Sequence, residues 1–171
     1  MRVRALFVVS GLALGASACA TVEAPAPVMA PAPMAGGGAP APVEGYDWFY
    51  HPDEDTARLA YGLAESDDLK LGLECERASG RLALHAIAEK GARPEIHVES
   101  GGETERFPAS AEPSQIHDGV FLTAQASAAE PVFQRFRRVG WLGQWRDGER
   151  EAYAPQPESA PNIERFFAFC G

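Results

Sequence analysis

Two histidines on consecutive predicted strands have the residue types that a metal site needs. His85 and His97 flank a turn near Gly91, and a hairpin about that turn brings them side by side near Glu95 or Glu99. Two imidazoles and a carboxylate are a ligand set for zinc or copper. The spacing matches no established metal motif, and a one-residue register shift moves one histidine to the other face. We therefore expect exposed strand histidines and no cofactor, with a metal site as the weaker alternative.

Two tryptophans and three arginines are the candidates for a binding surface. Trp141 and Trp145 are four residues apart, so on an extended strand they lie on the same face. Core packing is the expected role, and a groove that stacks a sugar or grips a peptide is the alternative. Arg135, Arg137 and Arg138 form a compact basic cluster. We expect a solvated helix face, although arginine also binds carboxylates and phosphates.

Charge and missing motifs exclude several classes of function. The 171 residues contain 15 Lys and Arg against 24 Asp and Glu, a net charge of −9. Nucleic-acid binding depends on basic side chains that neutralise phosphates, so a nucleic-acid partner is not expected. The chain has no Gly-x-Ser-x-Gly, Ser-x-x-Lys or phosphate-loop sequence. These absences favour a non-catalytic protein.

The elements that must position these candidates are mostly strands. Alternating apolar and polar residues, separated by turn residues, predict strands at 57–63, 69–76, 81–86, 95–99, 103–108, 119–126, 140–146 and 150–154. A short helix is predicted over 131–140, and a C-terminal helix over 159–171. Short strands at close spacing predict a mainly β fold, an antiparallel β-sandwich or small barrel with these two helices.

The N-terminus has the pattern of an export signal. Arg2 and Arg4 precede a mostly apolar run of 12 residues, 5–16, which is shorter than the about 20 residues that span a bilayer. The following Ala-Ser-Ala-Cys sequence resembles a bacterial lipoprotein signal, which implies lipid attachment at Cys19. Ala20 after that cysteine implies sorting to the outer membrane. Ordinary signal cleavage, which leaves a soluble periplasmic protein, is the alternative.

The signal is followed by a tether and a single domain. Residues 20–45 number 26 and include 8 Ala, 6 Pro and 4 Gly, a composition that builds no core. We therefore divide the chain into a signal peptide at 1–18, an Ala/Pro-rich tether at 19–45 and one β-rich domain at 46–171. If Cys19 carries lipid or leaves with the signal, Cys75 and Cys170 are the remaining pair for a disulfide in an oxidising compartment. A reactive thiol is the alternative.

The domain also resembles a group of exported proteins. The segments 57–62, 65–68, 71–75, 136–140 and 166–170 are similar to small exported alphaproteobacterial proteins of unknown function. The resemblance implies a β-rich domain with a disulfide from a strand to the C-terminal helix, and no assigned activity.

We expect a cell-envelope lipoprotein facing the periplasm, or a soluble periplasmic module, that binds or scaffolds an envelope protein or glycan. Its N-terminal lipid would make the membrane a partner. A small periplasmic hydrolase or metal-dependent enzyme is the alternative. A periplasmic holdase would need an exposed apolar groove.

Overall fold

The computed structural model describes residues 38–115 and 118–171. The signal peptide, Cys19, the tether up to residue 37 and His117 lie outside the described residues. The strands are β1 (Tyr46–Pro52), β2 (Thr56–Leu63), β3 (Leu69–Glu76), β4 (Arg81–Ala88), β5 (Glu95–Ser100), β6 (Glu103–Pro113), β7 (Val120–Ser127), β8 (Leu142–Arg146) and β9 (Glu149–Tyr153). The helices are α1 (Pro131–Val139) and α2 (Pro161–Cys170). Of the helices described, neither is long and apolar enough to cross a bilayer.

The strands form one antiparallel, nearly closed, barrel-like sheet, which confirms the predicted fold class. Their order is β1-β2-β3-β4-β7-β6-β5-β8-β9. The register places the start of β1, the end of β4 and the β8–β9 turn at the same end of the sheet, which we call the upper end. Inward-facing apolar residues of all these strands meet the two helices in one core.

Strand β6 joins the two parts of the sheet. Its first half, residues 103–108, pairs with β5, and its second half, residues 109–113, pairs with β7. The sequence predicts only the first half as a strand. The expected hairpin between β4 and β5 is wrong, because β7 and β6 lie between these strands. Gly91, at φ 89°, does reverse the chain, but the free edge of β4 pairs with β7. A turn sequence specifies a reversal and leaves the pairing partner open.

The edge strands β1 and β9 approach each other through side chains. The Trp48 indole N–H donates to the Tyr153 carbonyl oxygen at 3.0 Å. Tyr61 on β2 stacks on the Tyr153 ring, with centroids 4.6 Å apart. Strand β1 was not predicted, although its Trp48 is fully buried in the core.

The two helices begin and end near the positions that their sequences predict. Each has a proline in its first turn, where a missing N–H costs no hydrogen bond. Helix α1 ends at Gly140, which adopts a left-handed conformation with φ 80° and donates its N–H to the Phe136 carbonyl oxygen. Helix α2 buries Ile163, Phe166 and Phe167, a stripe at helical spacing that faces the sheet.

The predicted disulfide joins β3 to the end of α2. Cys75 and Cys170 are bonded, with Cα atoms 5.7 Å apart and a sequence separation of 95. The β3–β4 turn, which follows Cys75, satisfies the last carbonyl groups of α2. The N–H groups of Ala78 and Gly80, in the β3–β4 turn, donate to the carbonyl oxygens of Phe169 and Cys170, each at 2.9 Å. The C-terminal helix is therefore fixed to the sheet covalently and by backbone hydrogen bonds.

Candidate functional site

A cleft of about 1400 Å³ lies at the upper end of the sheet. Its lining comes from the end of β4, the β4–β5 loop, β5, β6 and the β8–β9 turn. His97 and Trp145 are the two sequence candidates that line it. Pockets for small molecules usually measure about 300–1,000 Å³, so this cleft has room for a larger ligand.

Four side chains form a row across the strands next to this cleft. The register places Arg106 of β6 opposite His97 of β5, His97 opposite Trp145 of β8, and Trp145 opposite Arg150 of β9. The imidazole and indole rings are nearly parallel, at 17°, with centroids 5.8 Å apart. That separation corresponds to offset stacking, so neither ring fully covers the other. Trp145 is partly exposed, and its indole forms an aromatic wall of the cleft.

Two glutamates fix the orientation of this row. Glu99 Oε2 accepts hydrogen bonds from Trp145 Nε1 at 3.1 Å and from Arg150 Nε at 2.8 Å. Glu95 Oε1 accepts from Arg106 at 2.6 Å. Surface ion pairs of this kind contribute about 0–1 kcal/mol to stability. Their main consequence here is positional, because they hold the indole ring and both guanidinium groups in place.

The surroundings of His97 favour its neutral imidazole. Partial burial lowers its pKa below the ordinary value, and the nearby Arg106 guanidinium lowers it further, while Glu95 and Glu99 act in the opposite direction. Because the ordinary value is already below neutrality, the lowered pKa favours the uncharged ring at neutral pH. His97 therefore presents an aromatic surface that both donates and accepts hydrogen bonds.

Trp141 lies on the same face of the sheet as Trp145 but outside the cleft lining. Its side chain is buried, and the Arg150 guanidinium lies 5.0 Å from the centroid of its ring. Gly143, between the two tryptophans, lies close to the β9 backbone, since a Cβ atom there would lie 3.2 Å from the Glu151 carbonyl oxygen. Trp141 therefore packs against Arg150, the residue of the row that lies on β9.

His85 lies on a different part of the sheet. Strands β7 and β6 separate its strand from that of His97, so the expected pairing of the two imidazoles is wrong. His85 stacks on Phe121, with ring centroids 5.5 Å apart, and its Nδ1 lies 3.4 Å from Thr123 Oγ1. Burial lowers its pKa. In the described part of the chain, no group of three or more His, Cys, Asp or Glu side chains is arranged to hold a metal ion.

The arginines of α1 have separate roles. Arg137 donates two hydrogen bonds to the Glu164 carboxylate, at 2.7 and 2.5 Å, and so links α1 to α2. This pairing raises the pKa of Arg137 and lowers that of Glu164. Arg135 lies against Gly101 in the β5–β6 turn, while Arg138 is exposed. None of the three lines the cleft, so the basic cluster is not part of this site.

A buried polar group lies on the inner side of β8. Gln144 is only 2% exposed, yet it lines the cleft. Its Oε1 lies 3.0 Å from the Tyr153 hydroxyl, which is also 3.0 Å from Glu151 Oε2. Glu151 pairs in turn with Arg146. Gln144 was not recognised from the sequence, although a glutamine two residues after the buried Leu142, on the same face of the strand, is the signal that would have found it.

The cleft is acidic. Its described lining carries six carboxylates, those of Glu89, Glu95, Asp118, Asp147, Glu149 and Glu151, against three guanidinium groups, those of Arg93, Arg106 and Arg146. Such an excess disfavours anionic ligands. Neutral or cationic groups are the ligand classes that this surface fits.

Comparison with protein-family models, curated proteins and solved structures found no match for this chain.

Proposed function

We propose that the protein is an exported, non-catalytic module of the cell envelope whose cleft binds an envelope glycan. The observation that carries this proposal is the offset His97–Trp145 ring pair in the wall of a large polar cleft. Sugars combine apolar C–H faces with many hydroxyl groups. A partly exposed indole ring beside carboxylates and guanidinium groups offers a partner to both kinds of surface.

The N-terminal sequence and the disulfide are the support for export. A basic start, a short apolar run and a small-residue cleavage site are typical of a secretory signal. Disulfides between a strand and a helix persist in oxidising compartments. We propose lipid attachment at Cys19 and a position at the outer membrane facing the periplasm, with the tether as spacer. The lipid makes the membrane a partner.

The enzyme alternative has less support from the geometry. Its metal-dependent form relied on His85 and His97 lying side by side, and two strands separate them. Its hydrolase form would require the same cleft to cleave the ligand that it binds. Analysis of the sugar by mass spectrometry after long incubation distinguishes binding from hydrolysis.

Replacing Trp145 or His97 is expected to weaken glycan binding. The probes are the N-acetylglucosamine trimer, the glucosamine trimer and maltotriose, titrated calorimetrically into the purified mature protein. Trp145→Ala should reduce affinity for bound sugars at least about tenfold, because a stacking partner contributes about 1 kcal/mol or more beyond its buried area. His97→Ala should reduce it about threefold to tenfold on the same ground.

His85→Ala is the matched control, since it removes the other strand imidazole outside the cleft. Its affinities should equal those of the wild type. The proposal fails if none of the three sugars binds, or if both histidine variants behave alike. Shortened sugar products would instead favour the hydrolase.

The intact mass of the protein isolated from its own cell envelope tests the proposed anchor. We expect a chain that begins at Cys19 and carries the mass of added acyl groups. A Cys19→Ala variant is the control, and it should lose this mass and leave the membrane fraction. An unmodified wild-type chain would instead indicate a soluble periplasmic protein.

A further inference from the structure

We infer that Gln144 recognises the acetamido group of an N-acetylated sugar in the cleft. This inference rests on the proposed function and specifies the class of glycan. The residue is the buried polar side chain of the cleft lining, and its side-chain amide is the group that a ligand would meet.

The Gln144 amide has one end available for a ligand. The Tyr153 hydroxyl lies 3.0 Å from this amide and 3.0 Å from the Glu151 carboxylate. One end of the amide is therefore occupied by the hydroxyl, and the other has no partner among the described residues. This free end is not among the fully buried atoms that lack a partner, so it reaches the cleft, and a ligand acceptor there gains affinity from one hydrogen bond.

The ligand group must suit both the amide and its surroundings. An anionic acceptor is disfavoured because six carboxylates and three guanidinium groups line the cleft. A neutral secondary amide offers a carbonyl acceptor and an N–H donor, so it pairs with either end of the Gln144 side chain.

Apolar residues in the same lining distinguish an acetamido group from a hydroxyl. Ile87, Ala88 and Leu122 line the cleft together with Gln144. An acetamido group carries a methyl that gains free energy by leaving water at such a surface, and a hydroxyl has no equivalent. A peptide has similar amides. The ring pair lies on the outer face of β8, opposite to Gln144, and it favours a sugar because a neighbouring sugar unit of the same chain would stack there.

The experiment compares three sugars and one peptide on the purified mature protein. The N-acetylglucosamine trimer should bind about tenfold more tightly than maltotriose, as one added hydrogen bond and methyl contact imply. It should also bind more tightly than the glucosamine trimer. Charge alone would favour glucosamine in this acidic cleft, so preference for the acetylated trimer would report amide recognition.

Gln144→Met should remove this preference. The variant keeps the side-chain length, and the Tyr153 hydroxyl retains its bond to Glu151, so the fold should persist. Affinity for the acetylated trimer should fall about tenfold, while that for maltotriose stays within about twofold. Gln144→Leu serves as a second variant if the first is unstable.

Tyr61→Phe is the control for a buried polar group outside the cleft. The Tyr61 hydroxyl is buried, has no hydrogen-bond partner among the described residues and does not line the cleft. Burial raises its pKa to about 12, so it is protonated at neutral pH. The variant should bind all three sugars as the wild type does.

Each outcome identifies which proposal fails. Equal affinity for the three sugars, or unchanged binding by Gln144→Met, overturns the acetamido inference, while loss of binding in Trp145→Ala still upholds glycan binding. Tighter binding of N-acetyl-trialanine amide than of any sugar overturns both proposals in favour of a peptide ligand. Absence of all sugar binding also overturns both.

Discussion

Removing the Cys75–Cys170 disulfide is expected to lower the free energy of unfolding by about 4–5 kcal/mol, the chain-entropy estimate for a loop of this size. The bond closes a span of 95 residues, which contains most of the sheet and all of α1. Domains of this size have total stabilities of about 5–15 kcal/mol, so the reduced protein should be close to marginal stability. Urea unfolding with and without reductant measures the difference.

The double variant Cys75→Ala/Cys170→Ala is the control for effects of the reductant itself. Its unfolding midpoint should match that of the reduced wild type and should not change when reductant is added. The backbone bonds from the β3–β4 turn to α2 remain in both, so the helix should still dock in the folded state. An equal midpoint for oxidised and reduced wild type would contradict the prediction, as would thiols that alkylate in the untreated protein.

Local sequence pattern was enough to predict most of the strands, both helices and the mainly β fold class. Alternation such as Leu71, Leu73 and Cys75 against polar neighbours identifies a half-buried strand, and the structure buries these three residues. The disulfide followed from the number of cysteines and the export signal. These features depend on neighbouring residues or on a simple count, so no knowledge of tertiary pairing was needed.

The strand pairing could not be predicted in the same way. The turn at Gly91 is real, but β4 and β5 find their partners at larger sequence distances. Strand β1 was not recognised, because Trp48, Phe49 and Tyr50 are consecutive aromatics that hide the alternation. Only pairing with β2 and burial of Trp48 define it. Pairing partners are set by the fit of whole apolar faces, which a local window does not contain.

The candidate site was only partly predictable for the same reason. His97 and Trp145 were recognised by residue type, but their contact depends on the pairing of β5 with β8. The metal hypothesis failed because it required β4 next to β5. Gln144 was missed because an inward-facing polar residue acquires meaning only when the cleft beside it is known.

Phe136→Ala should destabilise the domain by about 4 kcal/mol, as expected for deletion of a fully buried aromatic side chain. The ring of Phe136 lies between Trp48 on β1 and Phe167 on α2, with centroids 5.0 and 5.8 Å away. Removing it leaves a cavity where both helices meet the sheet edge. Urea unfolding followed by far-ultraviolet circular dichroism measures the loss.

Phe169→Ala is the matched control, because this ring is only partly buried and lies beneath the Arg77 guanidinium, 4.2 Å from its centroid. We expect a loss of about 1 kcal/mol from the cation–π contact and its small buried area. Equal losses in the two variants would show that Phe136 is not central to the core. A fourfold difference would instead identify the Phe136–Trp48 contact as a principal support of the β1 edge. Trp48 donates to the Tyr153 carbonyl, and the Tyr153 hydroxyl positions Gln144. Phe136→Ala, which removes a ring packed on Trp48, should therefore also weaken sugar binding.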